Sequence, residues 1–350
     1  MTVRISARRE QQVEASDSVS SDLDFVMDIA SGFWRSRALF SAVELGLFTE
    51  LAQAPMTDEQ ITVKLGLHPR AAQDFLDALV ALGLLSRTGD GQYANSVPAQ
   101  RLLDRDQPGY VGGFLSFMGR ALYPAWGRLS DLLRTGRLQE GDDTFGEFYK
   151  DHDRVRGFMA AMDSASAAVA ARLVECVDWS RYRSVADLGG ARGNLVARIV
   201  STHPHLRGVC VDLPPLKAHF DEHMAALGTA GRVTFHAADF RTDPLPEADV
   251  MIFGHVLHDW DEPSRALLVG RVYEALAPGG DLLIYDELID DDRSGPARSL
   301  LMSVNMKLVR SGGAEYTSAD ALSWLGAAGF QDIRTEPLTA TERLITAHKK

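Results

Sequence analysis

The chain has 350 residues, with 36 Lys and Arg against 48 Asp and Glu, a net charge of −12. At 45% apolar and 24% charged residues it reads as one or two globular domains with room for a core, not as a disordered chain. No run approaches the length of a membrane span, and the acidic balance opposes general nucleic-acid binding, which needs a basic face against phosphates. Two cysteines, Cys176 and Cys210, make no disulfide framework and fit a reducing cytoplasm.

Residues 1–20 are polar, carry no apolar stretch of a signal peptide, and are expected to form a poorly ordered tail. From 21 to 110 the pattern predicts short helices broken by turns. Phe25, Ile29, Phe33, Leu39, Val43 and Leu47 recur at helical spacing until Gly46 interrupts them. Thr57 with Glu59-Gln60 starts a second helix, and Pro69 and Gly83 bracket a third. LLSRTGDGQYANS then reads as a hairpin turning at Gly-Asp-Gly, which completes a winged-helix order. Such a module either reads DNA or packs against protein. Residues 41–100 hold three basic and seven acidic residues, so packing or dimerisation is expected.

Residues 111–180 are expected to be a helical linker that contributes to a substrate pocket. Met159 and Met162 sit at helical spacing there, where core filling weighs above an adaptable pocket. Asn305 and Met306 are taken with them as pocket candidates.

From 181 to 350 the pattern changes. SVADLG, RGVCVDL, RVTFHAA, ADVMIFGHV, DLLIYDEL, QDIRTEPL and RLITAHK alternate with helical stretches, which predicts a mostly parallel α/β sheet of Rossmann-like order. Ligands of such sheets bind beyond the carboxyl ends of the strands. The first strand runs into Gly189-Gly190-Ala191-Arg192-Gly193, a turn that lets backbone approach a ligand. The second ends at Asp212, 19 residues after Gly193, where a carboxylate can accept from ribose hydroxyls. The third ends at Asp239-Phe240, suited to an adenine amino group and its ring, although an Asp there also serves turns. The turn lacks both the Gly-x-Gly-x-x-Gly spacing of nicotinamide binders and the Gly-Lys-Ser/Thr of a P-loop.

The fourth strand leads into His255-Val256-Leu257-His258-Asp259-Trp260-Asp261-Glu262. Here the chain resembles the plant caffeate-type O-methyltransferases and their bacterial natural-product relatives, which use S-adenosylmethionine. DLGGARG, VDLPP, ADF, VLHDWDE, LAPGGDLLIYDELI and GGAEYTSADALSWLGAAGF carry that resemblance across about residues 25–350. It implies a seven-stranded methyltransferase domain, an N-terminal dimerisation domain, a homodimer, an aromatic small-molecule acceptor and no metal. It implies His258 as general base flanked by Asp286 and Glu315, and Gly189, Gly190, Asp212, Asp239 and Phe240 around the cofactor. A histidine suits the role because a phenol has a pKa of about 10 and needs a base within reach. A carboxylate on the other ring nitrogen would fix the tautomer. Glu315 has an alternative as a cap for the helix opened by Thr317-Ser318, and His255 as a core or supporting histidine. A metal set of His255, His258 and Asp259 exists only on paper, without zinc spacing.

Three departures from the family pattern stand out. Ala191 occupies the place of a usual third glycine, Gly254 that of a basic residue, and Asp286 that of a glutamate. Transfer to nitrogen or carbon, or cofactor use without methyl transfer, is compatible with the same motifs. A regulator with a retained ligand domain is disfavoured by the acidic N-terminal module.

Overall fold

The computed structural model describes residues 3–138, 149 and 151–350, with side chains from Ser21 onward except those of residues 153 and 154. The chain divides into two compact units, Met1–Gly119 and Arg120–Lys350. The division falls inside the stretch 111–180 expected as a linker, of which residues 139–148 and 150 lie outside the described residues.

In the first unit, α1 (Val3–Glu44) is followed by α2 (Leu47–Gln53), α3 (Asp58–Leu65) and α4 (Pro69–Ala81). The backbone of 3–20 is helical rather than the expected irregular tail; Arg, Glu, Gln and Ala, frequent in this stretch, are good helix formers. Gly46, at φ +75°, makes the break between α1 and α2. Thr57 caps α3 in a reciprocal box with Gln60: the Gln60 N–H donates to Thr57 Oγ1 and the Thr57 N–H to Gln60 Oε1. The hairpin β1 (Leu85–Arg87) and β2 (Tyr93–Asn95) pairs antiparallel, and α5 (Val97–Leu102) and α6 (Gly112–Phe117) follow. Val43, Leu47, Phe48, Leu51, Ile61, Leu76, Leu79 and Tyr93 form one buried core. The Tyr93 hydroxyl donates to Asp77 Oδ1 of α4 at 2.6 Å, and Arg87 joins the same pair, so one acid of this helix is spent on its own hairpin. The other half of the expected α1 stripe stays outside: Phe25, Ile29 and Phe33 are 68%, 67% and 54% exposed.

A π turn (Met118–Leu122) spans the boundary; the second unit continues with α7 (Tyr123–Trp126) and α8 (Leu129–Thr135), then α9 (His152–Ala165) and α10 (Ala167–Cys176). The sheet and its crossovers follow: β3 (Ser184–Leu188), α11 (Asn194–Thr202), β4 (Arg207–Asp212), α12 (Lys217–Leu227), β5 (Val233–Ala237), β6 (Ala248–Gly254), α13 (Glu262–Ala275) and β7 (Leu276–Asp286). The chain closes with α14 (Ala297–Val309), α15 (Ser318–Ala328), β8 (Gln331–Pro337) and β9 (Arg343–His348). Spatial order is β5-β4-β3-β6-β7-β9-β8, parallel except where β9 runs against β7 and β8.

Alternate residues of each central strand serve opposite layers. Val185, Val250, Ile252 and Leu283 pack with Leu173, Val196 and Ile199 on one face. Ala186, Met251, Phe253, Leu282 and Ile284 pack with Leu268, Val272 and Leu325 on the other. Both faces are covered, which is why the strands read as unbroken apolar runs. The outer strand β8 is mostly exposed and ends at Pro337, which cannot donate to a further strand.

Candidate active site

The β3 turn brings backbone, not side chains, to the front of the sheet. Gly189 (φ +76°) has no room for a side chain, since a Cβ would lie 2.8 Å from Val256 Cγ2. At Gly190 a Cβ would meet Asp187 Oδ2 at 2.7 Å. Ala191 has φ +53°, a left-handed backbone that costs an L-residue roughly 1–2 kcal/mol and explains the usual glycine there. The Ala191 N–H donates to Asp212 Oδ2 at 2.8 Å, and the Leu213 N–H donates to Asp212 Oδ1 at 2.7 Å. Burial lifts the pKa of Asp212 to about 6, against the pull of those two N–H groups. Asp187, buried beside it, is pushed up to about 7 by burial and by the charge of Asp212. Each Asp212 oxygen keeps a lone pair for a ribose hydroxyl.

At the end of β5, Asp239 accepts from the Arg241 guanidinium at 2.7 Å and 3.0 Å, which holds its carboxyl below the usual range. Its backbone carbonyl also accepts from the Thr242 and Asp243 N–H groups, so Asp239 builds the turn at this strand end. Phe240 is half-buried, edge-on to Phe253 at 6.1 Å and to Trp260 at 6.2 Å.

Beyond β6, His255 takes φ +53° and the chain turns through Leu257–Asp259. His258 Nδ1 lies 2.8 Å from Glu315 Oε1, and no described residue bonds its Nε2. Glu315 is buried, and its N–H donates to Ser303 Oγ at 3.2 Å. The cap of α15 is Thr317 with Asp320, which leaves Glu315 free for the imidazole. Asp286 Oδ1 is 3.8 Å from His258 Nδ1 and 3.5 Å from His255 Nδ1, while Oδ2 accepts from the Tyr316 hydroxyl at 2.7 Å. Glu315 therefore holds the His258 ring directly, and Asp286 acts on it through charge. The cause of the larger distance is the shorter side chain and the claim of Tyr316 on it. Burial opposes a charge on His258, but Glu315 and Asp286 outweigh it and raise its pKa to about 10.

The remaining candidates divide. Glu287 is held by Arg298 at 2.8 Å and is no substitute for Asp286. Asp259 pairs with Arg310 at 3.2 Å, and Asp261 caps α13 by accepting from the Ser264 N–H. His255, His258 and Asp286 each bring one atom of ligand type within 4.8 Å of the others, so the set compatible with a metal includes Asp286 and not Asp259. Met159 packs with Tyr149, Val155 and Leu216, flanked by Ala191 and Leu213, which places it beside the glycine turn. Met162 is half-buried and Met306 buried. Asn305 Oδ1 accepts from Trp126 Nε1 at 3.0 Å. The place of Gly254 is filled: a Cβ there would lie 2.0 Å from the Tyr285 ring, so no basic side chain fits while Tyr285 is present.

Sequence reading missed Tyr316, Ser303, Asp187 and Tyr285. Of these only Asp187, just before the glycines, carried a signal: an acid ending an apolar strand.

The chain matches the O-methyltransferase domain model over residues 126–331 and the O-methyltransferase dimerisation domain model over 27–105. It is 48% identical over 325 residues to the tetracenomycin polyketide synthesis 8-O-methyl transferase of Streptomyces glaucescens, covering 93% of this chain and 96% of that one. It is 40% identical to the N,N-dimethyltransferase OxyT of Streptomyces rimosus, covering 89% and 91%. Human N-acetylserotonin methyltransferase, solved with S-adenosylmethionine, superimposes with a TM-score of 0.86 at 31% identity, covering 93% and 97%. The seven-stranded sheet, the family match and these relatives define an S-adenosylmethionine-dependent methyltransferase. This chain belongs to the O-methyltransferase family, with that family's dimerisation domain at its N-terminus.

The glycine turn and Asp212 fit the cofactor: Gly189 and Gly190 have no room for a Cβ, and the buried carboxylate of Asp212 stands beside them. When bound, S-adenosylmethionine supplies an electrophilic methyl group. No described helix is long and apolar enough to cross a membrane.

Proposed function

We propose that the enzyme methylates a hydroxyl group of a fused aromatic molecule of polyketide type, with His258 as the base. The observation that carries this is the 2.8 Å bond from His258 Nδ1 to Glu315, which leaves Nε2 to accept the phenolic proton. Val256, two residues before the base, packs on the glycine turn, so base and cofactor cradle share one strand-end region. The similarity to a tetracenomycin 8-O-methyl transferase supports the acceptor class. Gly189, Gly190, Asp212, Asp239 and Phe240 would hold the adenosine part; Met162, Asn305 and Met306 remain pocket candidates, with Met159 nearer the cofactor. Free Cys176 and Cys210 agree with a cytoplasmic site of action. Incubation with labelled S-adenosylmethionine and a panel of hydroxylated and aminated polycyclic aromatics tests the reading. A product methylated on oxygen supports it. A product methylated on nitrogen, as the name of the OxyT relative suggests for that protein, overturns it.

A pKa of about 10 for His258 sets the pH dependence. The base is active when neutral, so kcat/KM should climb about tenfold per pH unit from 7 to 9. Glu315→Gln removes the nearest carboxylate, and the rise should then level off at lower pH. An unshifted profile in that variant would show that Glu315 does not set the basicity of His258. Asp286→Asn, 3.8 Å away, should move it less.

We also propose a homodimer that buries the outer face of α1. Phe25, Val26, Ile29, Phe33 and Trp34 are all more than half exposed in the single chain, a contiguous apolar stripe that water disfavours. The dimerisation domain match over 27–105 covers most of that stripe. Light scattering should give a dimer for the native protein and a monomer for the Ile29→Asp, Phe33→Asp double variant. A native monomer at micromolar concentration speaks against the assignment.

A further inference from the structure

Arg265 is 5% exposed, yet it carries a full charge and has no obvious place in methyl transfer. It sits in the first turn of α13, after Asp261. Its Nε donates to the carbonyl of Leu257 at 2.9 Å, and its Nη2 donates to the carbonyl of Ala314. Leu257 immediately precedes His258, and Ala314 immediately precedes Glu315. The guanidinium carbon lies 4.9 Å from the centre of the Tyr316 ring and 5.5 Å from that of Trp324. Between the same two segments, the Ala314 N–H donates to the carbonyl of His258 at 2.9 Å. One buried cation thus ties the backbone that carries the base to the backbone that carries its orienting carboxylate.

We propose that Arg265 is a positioning residue: its planar fork fixes the separation of the 257–258 and 314–315 segments, and so the His258–Glu315 hydrogen bond. This rests on the assignment of His258 and Glu315 made above. Burying a guanidinium is costly unless every donor is used. Here the cost is offset by two carbonyls, two aromatic faces and the nearby charges of Asp286 and Glu315. A surface arginine could hold α13 to the sheet without any of this, and the apolar residues of α13, Leu268, Val269 and Val272, already do so. Lysine would keep the charge but lacks the rigid fork that spans two carbonyls at once.

The test compares Arg265→Lys and Arg265→Met with native protein and His258→Gln. The native protein should show a far-downfield Nδ1 proton resonance that His258→Gln lacks. In both Arg265 variants that resonance should move upfield or broaden away, while S-adenosylhomocysteine affinity by calorimetry stays native. Turnover of the panel acceptor should fall by about 10²-fold at unchanged KM for S-adenosylmethionine, the scale of a small misplacement at a reacting centre. If Arg265→Met does not fold, Arg265→Lys decides. A native-like resonance in folded Arg265→Lys overturns the proposal. So does joint loss of cofactor binding, or failure of both variants to fold, which would make Arg265 a fold element. A native protein without the downfield resonance would instead sink the His258–Glu315 reading itself.

Discussion

Replacing His258 with alanine should lower turnover by about 10²–10⁴-fold, the usual worth of a positioned general base. The affinity for S-adenosylhomocysteine should hardly change, because the candidate adenosine contacts lie at the ends of β3, β4 and β5. Below pH 10 the neutral fraction of His258 and the ionised fraction of a phenol of pKa about 10 rise together, so the loss should stay roughly constant from pH 7 to 9. Above pH 10 solvent ionises such a phenol, and the gap between native enzyme and variant should close. Steady-state turnover from pH 6 to 11, with calorimetry of the product nucleoside, checks both halves. Native-like turnover of the variant at pH 7 would remove His258 as the base and leave binding geometry to carry the rate.

Asp212→Ala should weaken cofactor binding by about 10²-fold. Charge-assisted hydrogen bonds contribute about 1.5–3 kcal/mol each, and about 1.4 kcal/mol is a factor of ten. The substitution removes the acceptor of ribose hydroxyls and also frees the Ala191 and Leu213 N–H groups that the carboxylate now holds. Asp212→Asn keeps one acceptor oxygen and should lose less. The native affinity should itself fall as pH drops through about 6, where Asp212 takes up a proton. Asp212→Ala should lose that dependence on this group. Calorimetry with S-adenosylhomocysteine from pH 5 to 8 measures this, and unchanged affinity in the alanine variant would refute the ribose assignment.

Some features of this protein are written in short contiguous stretches. The capping box at Thr57 and the break at Gly46 depend on near neighbours alone, so residue types and spacing were enough. The central strands were legible because both faces of the sheet are covered there and the runs are unbroken. The residues at three successive strand ends followed from the same pattern, since a parallel sheet presents its ligands at one edge.

Partner choice was not legible, because it joins residues far apart in the chain. Glu315 lies 57 residues from His258 and reaches it only because β7, α14 and the turn before α15 return the chain to the end of β6. Asp286 read as an equal orienter, but the sheet register and the Tyr316 hydroxyl hold it 3.8 Å away. Gly254 looked like a missing cofactor contact, whereas the ring of Tyr285 on the neighbouring strand occupies its space. Nothing in the sequence marks Arg265, yet the fold closes two loops and two aromatic rings around it. Sequence by itself determined most of the elements and the edge of the sheet where ligands are expected, because local propensity and spacing specify these, and it singled out His258 as the candidate base. Only the tertiary structure decided which carboxylate touches the imidazole and how basic it becomes, because distance, burial and charge are properties of the packed chain.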